Sequence, residues 1–342
     1  VNRLVIHAGF PKSGSSSIQI ALGRHLPELE AAGIHMVGDG MQIGQGGVHP
    51  GLPLWYLERV AEAEVEDGCL ARLLAQAPVP DGSTLVLTSE NLSMTKMPRL
   101  FAGVDRVMET EVVFYLRPQT EFIPSAWKQW ASKLGMPLET FVANSIRRHR
   151  PANGAEIARW ADTLPQARII VRPFLREVML DGDPAADFMQ ILGFTDFDPA
   201  RSEGPTNPSI DYSLLHLLAL LGKRRFTGIH DNDFSDMLAQ RLPPQWLKTN
   251  IAMLSPTAEA QIEARFRADN LHVLQRYCGW SESDYSHHYR LKATAENYMD
   301  QPEPALLQRA YRILAEAFGT DWAAEVLTAA AGEQAEPIIR VG

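Results

Sequence analysis

Lys12 is the first residue whose type and setting suit chemistry, inside the loop Gly9-Phe-Pro-Lys-Ser-Gly14. Ser13, Ser15, Ser16 and Ser17 surround and follow it, so one anion there would meet a cation, hydroxyls and backbone N–H groups. Gly9 and Gly14 let the backbone bend and approach oxygens closely. The apolar run Leu4–Ile6 reads as a buried strand before the loop, and the serines open a helix. The first N–H groups of a helix lack intrahelical partners and point at whatever anion sits there. A second anion group is Arg117, at the end of another apolar run, with Ser125 eight residues on. A guanidinium fork with a hydroxyl matches a phosphate. Alone, the pair better fits an arginine bound to a carboxylate and a helix-start serine; downstream of the loop the preference reverses, and it suits a ligand with two anionic ends. Glu90 ends a third apolar run and is a candidate base, because burial beside anions raises a carboxylate pKa. It equally fits a cap on the turn Ser89–Ser93. His49, in a glycine-rich stretch, is the rival base by its intrinsic pKa, although a lone loop histidine is more often a bystander. His7, inside the first strand, reads as a core or cleft-wall residue.

The loop approaches the spacing Gly-x-x-x-x-Gly-Lys-Ser/Thr without equalling it. Ser15 stands where that pattern has lysine, and the lysine is displaced to position 12. A nucleotide kinase holds magnesium with the loop hydroxyl and a strand-end aspartate. No second aspartate of that kind is evident, so the loop is expected to take an anionic group that needs no metal. Pro11-Lys12-Ser13-Gly14-Ser15-Ser16 resembles the Pro-Lys-[Ser/Thr]-Gly-[Ser/Thr]-[Ser/Thr] signature of sulfotransferases that use 3′-phosphoadenosine 5′-phosphosulfate (PAPS). The resemblance covers roughly residues 3–200, with its strong motifs at 9–19 and 117–125.

The resemblance implies a P-loop NTPase-like sulfotransferase fold. It implies that Pro11, Lys12, Ser13, Gly14, Ser15, Ser16 and Ser17 take the 5′-phosphosulfate, and Arg117 with Ser125 the 3′-phosphate. Cytosolic members carry a catalytic histidine at the strand end where this chain has Glu90; some carbohydrate-modifying members use a glutamate elsewhere in the chain. The implied reaction is metal-free in-line transfer of a sulfuryl group to a hydroxyl or amine of a small-molecule or glycan acceptor, leaving 3′-phosphoadenosine 5′-phosphate (PAP). One departure is the absence of the Arg-Lys-Gly plus glycine-rich segment that closes over the 3′-phosphate in cytosolic members. The helical C-terminal half resembles the bacterial-type members more than the cytosolic ones. Two other readings stay open: a phosphotransferase using ATP and magnesium, and a nucleotide-binding protein without catalysis.

Elements that would position these residues follow from the apolar pattern. Strands are expected near 4–6, 34–37, 83–89, 111–116 and 167–171, with helices over 15–32, 54–77 and 120–133. Strands alternating with helices predict an α/β fold: three layers, a parallel sheet flanked by helices. Its carboxyl ends would gather the loop, Glu90 and Arg117 in one cleft. Beyond Gly204-Pro205 the texture is helical, at 210–221, 235–241, 257–277 and 303–330, so the expected division is a core of 1–204 and a helical lobe of 205–342. Asp231–Asp236 lacks the glycine and closing glutamate of a calcium loop and reads as a helix start. His287-His288 reads as a surface pair. No metal site is expected.

The formal charge is −9, from 32 basic and 41 acidic residues, which argues against nucleic-acid binding and makes any anion site a local exception. Cys69 and Cys278 lack metal spacing and suit free thiols in a reducing cytosol, so a cytoplasmic location is expected. Neither a signal peptide nor a run of roughly 18–20 apolar residues is visible. The 342 residues bury a sizeable core.

Overall fold

The computed structural model describes residues 1–38, 66–76, 78–202, 210–247, 253–289 and 303–332. Its elements in chain order are β1 (Arg3–Ala8), α1 (Ser15–Arg24), α2 (Leu26–Ala31), β2 (Ile34–Met36), α3 (Cys69–Ala75), β3 (Thr84–Ser89), β4 (Glu109–Leu116) and α4 (Gln119–Ala126). There follow α5 (Leu138–Arg148), α6 (Asn153–Thr163), β5 (Arg168–Pro173), α7 (Pro184–Leu192), α8 (Tyr212–Leu221), α9 (Asp233–Arg241), α10 (Pro256–Cys278), α11 (Glu303–Phe318) and α12 (Thr320–Ala331). The chain forms two units. One comprises 1–118, 151–205 and 267–290; the other comprises 119–150, 206–266 and 291–342. The single cut read from the sequence at 204/205 lies beside one of these boundaries, while 119–150 and 267–290 cross it.

The first unit is an α/β layer structure around a five-stranded parallel sheet of order β2-β3-β1-β4-β5. Successive side chains of a strand point to opposite faces. Leu4, Ile6, Ala8, Leu85, Leu87, Val112, Phe114 and Leu116 therefore join one core, against α3, α6 and residues 273–289. Val5, Val86, Val113 and Tyr115 join the other, against α1, α2 and α7. Both faces are covered, which is why these strands read as continuous apolar runs. Each fully buried aliphatic side chain contributes about 1.5–3 kcal/mol of transfer free energy. At the amino ends of the strands, Arg3 and Arg168 share the buried carboxylate of Glu111, and Arg3 also donates to the carbonyls of Ile191 and Leu192 at the end of α7.

The second unit is helical in the described residues and has its own core from α4, α5, α8, α9, the start of α10, α11 and α12. Asp211 opens α8 by accepting from the Ser213 N–H at 2.9 Å, and is held by a two-pronged bond from Arg309. Asp231 accepts from Thr227, and α9 starts at Asp233, so this acidic stretch forms a turn and helix start. Among the described residues no helix is long and apolar enough to cross a membrane.

Several expected helices are divided. The helix read over 15–32 breaks at His25, because Pro27 has no N–H for the continuing ladder and enters the first turn of α2 instead. The helix read over 303–330 breaks at Gly319. The helix read over 120–133 begins as α4 with Pro124 inside it, widens over Trp127–Ala131 and tightens over Ser132–Leu134. Of the helix read over 54–77, α3 is the described part, and Gly68 begins it in the left-handed conformation. The pattern did not announce α5, α6 or α7.

Candidate functional site

β1 sits in the middle of the sheet, with β3 on one side and β4 on the other. From β1 the chain moves to β2 and β3 on one side; from β4 it moves to β5 on the other. The crevice between the carboxyl ends of β1 and β4 is thus the switch point, where ligands bind in open parallel sheets. The loop 9–14 leaves β1 there, and Arg117 follows β4 directly.

Loop shape is set by two residues in the left-handed region. Gly14 has φ +85° and Lys12 has φ +65°, a cost that glycine escapes and lysine does not. A Cβ on Gly14 would lie 2.8 Å from the Phe174 ring and 2.9 Å from Pro184, so glycine is needed for space as well. We expect Gly14→Ala to destabilise the fold by about 2–4 kcal/mol, combining left-handed strain with overcrowding. A urea midpoint unchanged by the substitution would refute this. Gly14 precedes α1 with no side chain capping the helix, leaving its first-turn N–H groups directed at the crevice.

Arg117 ties the far side of the crevice to the loop. Its Nη1 donates to the Lys12 carbonyl at 2.8 Å, and its guanidinium stands 5.7 Å over the Phe174 ring. Glu90 begins the turn after β3, and Ser89 pairs in register with Ala8 at the loop's root. The Ser89 hydroxyl caps this turn by accepting from the Asn91 N–H, so the Glu90 carboxylate is not its cap. Instead, Glu90 and Lys12 act on each other. Burial pushes Glu90 above the usual carboxylate range, opposed by the Lys12 charge. Burial draws Lys12 down; Glu90 opposes this and Arg117 adds to it. Two cations and one carboxylate of raised pKa therefore share a half-buried crevice at a helix start, an arrangement suited to holding an anion beside a proton acceptor.

The serines divide by exposure. Ser16 and Ser17 face solvent, whereas Ser13 and Ser15 are buried, and the hydroxyls of the latter two have no hydrogen-bond partner among the described residues. Ser125 is half-buried in α4, in the second unit. Pro11 is half-buried in the loop. His49 and the glycine-rich stretch around it lie outside the described residues.

Sequence reading missed Phe174 and Pro184, which enclose Gly14, and the buried network beneath them. Asp187 accepts from Tyr115 Oη at 2.8 Å, from the Leu180 N–H at 3.1 Å and from both prongs of Arg172. Asp183-Pro184 carried a usable signal: aspartate caps α7 through the Ala185 N–H at 2.9 Å and proline takes its first position. Both cysteines are free and half-buried. The Cys278 thiol, pushed up to about 11 by burial, donates to the Val171 carbonyl.

No family model matches this sequence. A protein of Archaeoglobus fulgidus described as an uncharacterized protein is similar to it, 26% identical over 144 residues. The alignment takes in 41% of this chain and 37% of that protein.

Proposed function

We propose that this chain transfers a sulfuryl group from PAPS to a hydroxyl or amine of a small-molecule or glycan acceptor. The hydrogen bond from Arg117 to the Lys12 carbonyl carries this reading, because it keeps a guanidinium at the loop. A donor with a 5′-phosphosulfate and a 3′-phosphate needs cations at two points, and ATP does not carry that second group on its ribose. In the proposed reaction Glu90 takes the acceptor proton and the acceptor atom attacks sulfur in line. The bond between sulfur and the bridging oxygen breaks, and PAP leaves. Lys12 and the N–H groups of Gly14, Ser15 and Ser16 offset charge on the bridging oxygen, and Arg117 takes the 3′-phosphate. A cytoplasmic location belongs to the same proposal.

Calorimetry with PAP, AMP and ATP tests the two-anion requirement without an acceptor. PAP is expected to bind at least about tenfold tighter than AMP, the worth of a charge-assisted hydrogen bond. Equal affinity for PAP and AMP would sink the reading. Magnesium-dependent turnover of ATP would favour a phosphotransferase, and tight PAP binding without transfer to any acceptor a non-catalytic binding protein.

A further inference from the structure

His7 lies directly under the anion loop, fully buried in β1. Its ring meets Tyr115 edge-on at 5.7 Å and Phe188 at 5.2 Å, and its Nδ1 is 2.8 Å from Thr88 Oγ1 on the neighbouring strand. Among the described residues its Nε2 has no hydrogen-bond partner, and neither has the buried hydroxyl of Ser15. Both atoms converge on Gly9: a Cβ built there would stand 2.6 Å from Ser15 Oγ and 3.0 Å from His7 Nε2. Glycine at position 9 thus leaves a gap in which an imidazole nitrogen and a helix-start hydroxyl face the same point.

Proton counting fixes the direction of this arrangement. Burial draws the His7 pKa down to about 3, so the ring is neutral near neutral pH and carries one N–H. The Thr88 hydroxyl, also buried, has the Nδ1 of His7 as its side-chain partner. If Nδ1 held the proton, the Thr88 hydrogen would have no acceptor and Nε2 no donor. If Thr88 donates to Nδ1, its hydrogen is satisfied and the ring proton sits on Nε2, leaving fewer buried polar groups unmet.

We propose that His7 is a positioning residue for anion binding: its Nε2–H donates to Ser15 Oγ when the loop is occupied, so that the Ser15 hydroxyl hydrogen is turned to the bound oxygen. The chain then runs one way, from Thr88 O–H to His7 Nδ1, from His7 Nε2–H to Ser15 Oγ, and from Ser15 O–H to the ligand. Every donor points outward, so the site selects a fully deprotonated oxyanion and disfavours a group that must itself donate. The inference deepens the proposed PAPS site and rests on an anion binding the loop, but not on that anion being PAPS.

Two measurements test it. Nitrogen NMR of the labelled imidazole in the wild-type protein is expected to show the proton on Nε2, with that signal moving when inorganic pyrophosphate or PAP is added. A proton on Nδ1, or an Nε2 signal indifferent to a bound anion, would overturn the proposal. By calorimetry, His7→Phe and Ser15→Ala should each weaken pyrophosphate binding about tenfold, and together no more than either alone. His7→Gln, which keeps a distal N–H, should recover part of the loss. Additive losses would assign His7 a packing role only. Failure of pyrophosphate and PAP alike to bind would also overturn the proposal. Pyrophosphate binding with no preference for PAP over AMP would leave the relay intact and defeat the sulfotransferase reading instead.

Discussion

Glu90→Gln is expected to lower sulfuryl transfer about 100- to 10,000-fold, the range for loss of a general base. The variant keeps the shape of the side chain and the Ser89 cap on the turn, so PAP affinity should change far less than turnover. The pH profile gives a sharper readout. Because burial raises the Glu90 pKa, the wild-type rate should climb with pH along a limb lying above the usual carboxylate value of about 4.3, and the glutamine variant should lack that limb. Stability moves in the opposite sense. A carboxylate with a raised folded pKa binds its proton more tightly in the native state, so its contribution falls as pH rises from the unfolded to the folded value. Below that window wild type and variant should be similar, and above it the variant should gain relative to wild type. A variant with full transfer and an unchanged pH limb would remove Glu90 from the mechanism.

Lys12→Met is expected to lower transfer about 100- to 1,000-fold, the scale of one lost electrostatic contact to charge developing in the transition state. This substitution isolates charge from loop geometry. The tie to Arg117 runs through the Lys12 carbonyl, which methionine also supplies. Methionine keeps the same demand for positive φ at this position, so the strain is carried over too. Turnover should therefore fall while the urea midpoint stays close to wild type. Arg117→Ala offers the contrast, since it removes both the cation and the bond that fixes the loop. A Lys12→Met protein with undiminished transfer would mean that other groups offset charge on the leaving oxygen.

The parallel sheet was legible because its strands are buried on both faces and so leave unbroken apolar stretches at 85–87 and 112–116. Lys12, Glu90 and Arg117 were legible for a related reason: Glu90 and Arg117 follow their strands immediately, Lys12 lies in the loop that leaves β1, and parallel strands put their following residues on one edge. The enclosure of Gly14 was not. Phe174 and Pro184 lie far along the chain, and nothing local records that they would meet a glycine. His7 was visible as a histidine in a strand, but its partner Thr88 is set by register between strands distant in sequence. The divided helices show a simpler limit. Pro27 and Gly319 were in plain view, yet apolar spacing continues across them because both pieces pack on the same core.

The strand that bears the loop has hydrogen-bonded neighbours on both sides. Freeing its end by sub-global opening would require at least one adjoining ladder to separate, and each of these is interior to the sheet. The root of the loop is therefore expected among the slowly exchanging amides of the first unit, although the residues it presents are partly in contact with water. An occupant held there would raise the melting temperature of the whole first unit, because it binds the loop only while that strand is paired.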